Sequence, residues 1–204
     1  MIFKREKRDE RIKKLVNFLL EARVTKHLPK ASFHFFAGPI KESVAEHCFI
    51  VTLIGWVLSK LERANEDKVI KMCLIHDLSE PRGGERNLVN KFYSQTLNEL
   101  AIIKEISEVN NLEDFKITPL FKEFWELKTR EAKVARDADI LAQMMWEKEN
   151  LDVGNKKAQK WVDFSLSRLK TQNGRALGEE LKKVDSDKWW VDIVKKYILK
   201  TKFL

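Results

Sequence analysis

The sequence lacks a long apolar run, an N-terminal signal segment and enough cysteines for a disulfide framework. We expect no apolar stretch to approach the roughly 18 residues that cross a bilayer. The first residues, MIFKREKRDERIKK, form a charged helical pattern without the apolar centre of a signal peptide. The two cysteines, Cys48 and Cys73, lie in apolar helical patterns, where a reduced thiol packs as a small hydrophobe. These absences predict a cytoplasmic protein that is not inserted in a membrane.

The chain also lacks repeats, low-complexity segments and a convincing linker, which predicts a single domain for all 204 residues. Hydrophobic residues make up 44% and charged residues 34% of the chain, as in soluble globular proteins. The net charge of +8 is compatible with nucleic-acid binding. However, lysines and acids alternate along the chain, so we expect a lysine-rich surface, no nucleic-acid partner and, at most, a small anionic ligand.

Apolar residues recur at spacings of three and four throughout, and no alternating strand pattern is present, which predicts an all-α fold. Ser43 and Glu46 form a capping-box pattern that opens a helix. Another helix is expected to run from Asp67 to Glu80 and to end at Pro81, Gly83 and Gly84. Further helices are predicted in residues 11–20, 96–109, 119–150 (one or two helices) and 158–170, with a tryptophan-rich helix after Ser186.

Two of the four histidines lie on core-facing stripes of consecutive predicted helices. His47 shares a face with Ile50, Val51, Ile54 and Leu58. His76 shares a face with Val69, Met72 and Cys73. A single histidine in such a position is more often a satisfied core residue than a metal ligand.

Asp77 makes His76 a stronger candidate, because a carboxylate seldom enters a core unless it is paired or bound to a metal. Imidazole and carboxylate are suitable ligands for a divalent transition metal. Three ligands require a fourth, and Asp137 and Asp139 both flank the core face of a later helix. Periodicity leaves both open. Lys133, one turn before Asp137, suits a solvated ion pair, whereas small and aromatic neighbours favour Asp139: Ala135, Ala142 and Trp146.

The order His47, then His76-Asp77, then a later helical aspartate resembles the signature of the HD-domain metal-dependent phosphohydrolases. The motifs PIKESVAEH, HDLSE and DADILAQ are similar to the 5′-deoxyribonucleotidase branch, over about residues 28–150. The resemblance implies an HD-domain helical bundle with its metal-site core at about 28–150 and a C-terminal helical extension at 151–204. It implies one divalent ion (Mn, Fe, Co, Ni, Zn or Mg), and it favours Asp139 over Asp137. The implied ligands are His47, His76, Asp77 and Asp139.

The resemblance also implies that Glu80 handles the water that attacks phosphorus. Glu85 stands where the family usually has an assisting aspartate. Lys30 and Phe33 stand nearest to the family's arginine and tryptophan, which contact phosphate and sugar, and Arg82 is a further candidate for phosphate binding.

The implied activity is removal of phosphate from (deoxy)nucleoside 5′-monophosphates. The alternatives are a non-catalytic nucleotide-binding or sensor module and a phosphohydrolase of another nucleotide class. Related proteins are commonly dimers, so we expect a homodimer. Four tryptophans are expected in the core or at a subunit interface: Trp146, Trp161, Trp189 and Trp190.

Overall fold

The computed structural model describes residues 2–35, 41–94 and 97–201, with side chains for 6–31, 34–35, 41–94 and 97–198. Within these ranges the chain is all-α, which confirms the predicted fold class. The helices are α1 (Ile2–Ala22), α2 (Val44–Leu61), α3 (Glu66–Ile75), α4 (Glu80–Gly83), α5 (Leu88–Tyr93), α6 (Glu99–Asn110), α7 (Ile117–Glu126), α8 (Arg130–Asp152), α9 (Gln159–Arg168), α10 (Gln172–Lys183) and α11 (Lys188–Thr201). Short 3-10 turns lie at Arg23–His27, Ala31–Phe35, Glu113–Phe115 and Lys156–Ala158.

Helix α2 begins with the predicted capping box. The backbone N–H of Glu46 donates to the Ser43 hydroxyl at 3.2 Å, and the Ser43 N–H donates to the Glu46 carboxylate at 2.7 Å. Asn65 and Thr129 cap α3 and α8 in the same way, because each side chain accepts a first-turn N–H. Such caps satisfy helix donors that have no partner within the helix.

The main core lies where α2 packs against α3 and α8. Its centre contains Val51 and Leu58 from α2, Met72 from α3, and Ala138 and Leu141 from α8, all nearly or fully buried. Gly55 allows α2 to approach α3 closely, since a Cβ at this position would lie 2.5 Å from the Cys73 sulfur. A second apolar cluster joins α3 to α6 and α7, so α3 is held on both sides.

The expectation that no apolar run approaches membrane-spanning length is wrong for α2. This helix has 18 residues and a mean hydropathy of 1.5, which are sufficient to cross a bilayer by length and composition alone. The core helix of a globular domain passes the same test. Here α2 carries the buried His47 and packs against two neighbouring helices.

One predicted helix boundary differs from the structure, and one helix was not predicted. The helix expected to reach Glu80 ends at Ile75, and residues 76–79 form turns before α4, which has Pro81 in its first turn. Proline is tolerated there because a first-turn N–H has no helical partner. The sequence also did not predict α10, which contains Gly174 and Gly178. Glycine disfavours helices, but these two allow α10 to pack closely against Asp137 and Leu169.

An antiparallel bridge between Pro29 and Ser43 positions the segment before α2. Lys30 N–H donates to Glu42 O, and Val44 N–H donates to Leu28 O, both at 2.8 Å. This pairing holds Lys30 beside the first turns of α2.

Candidate metal centre

His47 lies in the second turn of α2 and is 1% exposed. Its Nε2 is 3.1 Å from Asp139 Oδ1, and its Nδ1 is 3.6 Å from Glu42 Oε2. The His47 Nδ1 has no hydrogen-bond partner among the described residues. The imidazole is therefore held between two carboxylates rather than packed as an ordinary core histidine.

His76 follows the last residue of α3, and its tautomer follows from one contact. Its Nδ1 lies 2.7 Å from the Cys73 carbonyl oxygen, which can only accept, so Nδ1 carries the proton. In the neutral imidazole, Nε2 consequently carries the lone pair, and it faces Asp77 Oδ2 at 3.3 Å and Asp139 Oδ1 at 3.7 Å. Such a backbone contact is a common way to orient a metal-binding imidazole.

The four side chains predicted as ligands come together from three parts of the fold. Ligand atoms of His47, His76 and Asp77 all lie within 4.8 Å of one another, and Asp139 reaches both imidazoles at the distances given above. Two atoms that each bind one ion at about 2.0–2.2 Å lie roughly 3–4 Å apart. The donor set and its spacing therefore fit one divalent transition metal.

Asp137 has a different role from the solvated ion pair that the sequence suggested. It is fully buried, and its carboxylate accepts the backbone N–H groups of Lys170 and Thr171 at 2.7–3.1 Å and the Thr171 hydroxyl at 2.7 Å. Asp137 thus fixes the start of α10 and is not part of the histidine cluster.

The carboxylates of the cluster stabilise positive charge on the two histidines. Burial lowers the pKa of both histidines, but Asp139 and Glu42 raise the pKa of His47 to about 9, and Asp77 raises that of His76 to about 10. Burial raises the pKa of Asp139, but His47, His76 and Arg136 hold it well below its usual range. A cluster that retains protons on two imidazoles so strongly has an excess of negative charge, which a divalent cation would neutralise while displacing those protons.

Glu80 and Glu85 lie beside the cluster and share Lys30. The Lys30 ammonium is 2.9 Å from Asp77 Oδ2, 3.2 Å from Glu85 Oε1 and 3.9 Å from Glu80 Oε1. Glu85 Oε1 also accepts the Ala31 N–H at 3.1 Å. Burial, Asp77 and the neighbouring Glu85 raise the pKa of Glu80 to about 11. The pKa of Glu85 is lowered, because Glu80 and Lys30 outweigh its burial.

The structure does not bring Arg82 to the cluster. Its guanidinium pairs with Glu21 of α1 and with Glu105 of α6, and it holds these helices against α4. Phe33 cannot be compared with its predicted role, because its side chain lies outside the described residues.

Arg136 is a site residue that the sequence analysis missed. Its Nη1 donates to Asp139 Oδ2 at 3.1 Å, and its guanidinium lies 4.3 Å from the Phe124 ring centre and 4.4 Å from that of Trp125. Arg136 lies three residues before Asp139 on one helix, and this spacing could have predicted a contact between the two side chains.

A cavity of about 270 Å³ opens beside the cluster. Its walls combine cationic and aromatic side chains with members of the cluster. The lining includes Lys30, His47, Glu85, Asp139, Arg86, Lys91, Arg136, Arg168, Phe35, Trp125, Trp161 and Phe164. Of the tryptophans noted in the sequence, Trp146 is buried, Trp161 stacks on Phe35 with ring centres 4.7 Å apart, and Trp189 and Trp190 are exposed on α11.

Comparisons with known proteins give a family match over most of the chain. A family model described as HD domain matches residues 22–184. The 5′-deoxynucleotidase HDDC2 of Dictyostelium discoideum is 31% identical over 145 residues, which cover 64% of this chain and 76% of the relative.

Two solved structures share the fold. The PH0347 protein of Pyrococcus horikoshii OT3 has a TM-score of 0.62 at 22% identity, over 89% of this chain and 96% of that one. A conserved hypothetical protein of Pyrococcus furiosus has a TM-score of 0.67 at 24% identity, over 83% and 99%.

Proposed function

Because the chain belongs to the HD-domain family of metal-dependent phosphohydrolases, we propose that it removes phosphate from (deoxy)nucleoside 5′-monophosphates. The observation that carries this proposal is the arrangement of the site. The three-residue group His47, His76 and Asp77, with Asp139 next to both imidazoles, lies beside two buried carboxyl groups. It stands at one side of a cavity with cationic and aromatic walls. A nucleoside monophosphate combines a phosphate that requires cations with a flat ring that aromatic side chains can contact. The Dictyostelium relative, by its name, acts on such compounds.

In this proposal His47, His76, Asp77 and Asp139 hold one divalent ion. When bound, such an ion polarises the phosphate and acidifies water. The ion would also favour the charged form of the neighbouring Glu80.

Glu80 is the proposed group that takes the proton from the attacking water. Its burial and its position next to Asp77 raise its pKa, and the ion would lower this pKa so that the carboxylate can accept a proton, as a general base requires. Glu85 and Lys30 are proposed to hold Glu80 in place. Glu85 is itself anchored by the Ala31 N–H, so the pair is oriented before substrate binds.

The cationic residues of the cavity are the proposed phosphate ligands. Arg136 is held by Asp139 and by two aromatic rings, so its guanidinium is oriented in advance. Lys30 supplies positive charge at the same end of the cavity and, unlike arginine, offers no bidentate fork. We therefore expect weaker discrimination between ribose and deoxyribose than an arginine and tryptophan would give.

We further propose that the protein is a cytoplasmic homodimer. Helix α2 carries five exposed large apolar side chains, and such a patch suits burial against a second copy. These residues are Phe49, Leu53, Trp56, Val57 and Leu61. Light scattering at several concentrations measures the oligomeric state directly.

Phosphate release from a panel of ribo- and deoxyribonucleotides, each with Mn, Co, Ni, Mg and Zn, tests the proposed activity. We expect turnover of 5′-monophosphates that a chelator stops. Tight nucleotide binding without turnover under all conditions would instead favour a sensor module. Turnover restricted to triphosphates or cyclic dinucleotides would favour another class of phosphohydrolase.

A further inference from the structure

Glu147 is a buried carboxyl group that the proposed chemistry does not use. It lies on α8, is 1% exposed and lines the cavity. Its Oε1 accepts the Gln143 side-chain N–H at 3.1 Å, whereas its Oε2 has no hydrogen-bond partner among the described residues. The Ser165 hydroxyl of α9 also lines the cavity; it lies close enough to lower the pKa of Glu147 but makes no hydrogen bond of normal geometry with any described residue. A buried polar atom without a partner is costly, so it calls for a ligand that completes its hydrogen bonds.

The position of Glu147 along α8 matches the length of a nucleotide. Asp139, Gln143 and Glu147 are spaced four residues apart and line one wall of the cavity. At 1.5 Å per residue, Glu147 lies about 12 Å along the helix from Asp139. A phosphate at the metal cluster would therefore place the base of the same molecule near Glu147.

We propose that Glu147 recognises the base of the nucleotide by accepting hydrogen bonds from its edge. This inference rests on the proposed function and names the preferred substrate class, purine 5′-monophosphates of the guanine type.

The preference follows from the chemistry of the ionised carboxylate, which only accepts hydrogen bonds and predominates above the Glu147 pKa of about 7. Guanine presents two adjacent donors on one edge, the ring N1–H and the 2-amino group. Hypoxanthine keeps the ring N–H and lacks the amino group, and adenine has an acceptor at N1. Ser165 offers a hydroxyl that can donate to an acceptor on the same base, and the Phe35–Trp161 pair supplies an aromatic wall nearby.

The test compares ligands that share the phosphate and sugar but differ in the base. The Kd or KM is measured for dGMP, dIMP, dAMP and deoxyribose 5-phosphate with the metal-loaded protein and its Glu147→Gln variant. We expect the parent to prefer dGMP over deoxyribose 5-phosphate by tenfold or more. Glu147→Gln should weaken dGMP by about 10- to 100-fold, the usual range for a buried hydrogen bond to a charged group. The Kd or KM of deoxyribose 5-phosphate should change by no more than about twofold, since no contact to the sugar or the phosphate changes.

The matched control is Glu149→Gln, the same change on an exposed residue of α8, which should alter no ratio. An equal loss for dGMP and deoxyribose 5-phosphate in Glu147→Gln would show that Glu147 supports the fold or the metal end, and would overturn the inference. A parent preference for dAMP or for base-free phosphate would also overturn it. If no nucleotide is hydrolysed, the proposed function fails, but the ratio of Kd values still decides whether Glu147 binds the base.

Discussion

Replacement of Lys30 by methionine tests whether this lysine neutralises the buried carboxylates. Its ammonium contacts Asp77 and Glu85 within 3.2 Å and lies 3.9 Å from Glu80, and its side chain is 11% exposed. Burial opposes its charge, but the three carboxylates raise its pKa well above the usual value, so it stays charged throughout the working pH range. Methionine keeps most of the volume and removes the charge.

The expected cost is about 3 kcal/mol of unfolding free energy, at the lower end of the range for breaking a buried ion pair because the site is not fully closed. Urea unfolding in the presence of chelator measures it. Added Mn should recover part of the loss, since a divalent cation supplies the missing positive charge. The double variant Lys30→Met/Glu85→Gln should lose at least 1 kcal/mol less than the sum of the single variants, because they remove opposite charges of one pair.

Lys26→Met is the matched control, because Lys26 is exposed and lies one turn before the site. It should change stability by about 0.5 kcal/mol or less. If Lys30→Met costs no more than Lys26→Met, the lysine does not compensate the cluster, and the electrostatic account of the site is refuted.

Three further predictions concern individual acids. In steady-state kinetics at unchanged metal content, Glu80→Gln should lower kcat by about 10²–10⁴, and Glu85→Gln should lower kcat less. A kcat of Glu80→Gln within a few-fold of the parent would exclude Glu80 as the base. Asp137→Ala should lose several kcal/mol in urea unfolding, because four hydrogen bonds to the start of α10 disappear, and a near-neutral result would contradict that role. Burial raises the pKa of Glu147 from 4.5 to about 7, so its contribution to stability is fully present below pH 4.5 and is lost as pH rises through 7. Relative to Glu147→Gln, the parent should therefore lose about 3 kcal/mol between pH 4 and 8, and parallel stability curves would refute the shift.

Local periodicity was sufficient to predict the all-α fold and the burial of both histidines. His47 and His76 lie on apolar faces at helical spacing, and a face buried in one helix needs a partner in another. Periodicity left Asp137 and Asp139 both open, and the resemblance to the HD-domain phosphohydrolases favoured Asp139. Whether the four side chains bind metal stays a prediction, although the structure brings them together.

The errors and omissions concern residues whose surroundings are set by tertiary contacts rather than by local sequence. Lys133, one turn before Asp137, suggested that Asp137 is solvent-exposed. In the structure a loop more than 30 residues later covers Asp137 and donates two backbone N–H groups to its carboxylate. Arg82 follows Glu80 closely, but the turn at α4 directs it to α1 and α6. Glu147 shares a helix face with Asp139, but this spacing does not show a cavity, which forms only where α9 packs on α8.

Metal content measured on purified and metal-reloaded protein shows whether the four side chains bind one ion. We expect about one divalent ion per chain in the parent, and near-complete loss in His76→Ala and in Asp139→Ala, since each removes one of four ligands. Asp137→Ala, the matched control on the same helix, should keep its metal when measured under folded conditions. Full occupancy in both His76→Ala and Asp139→Ala would contradict the assignment of the site.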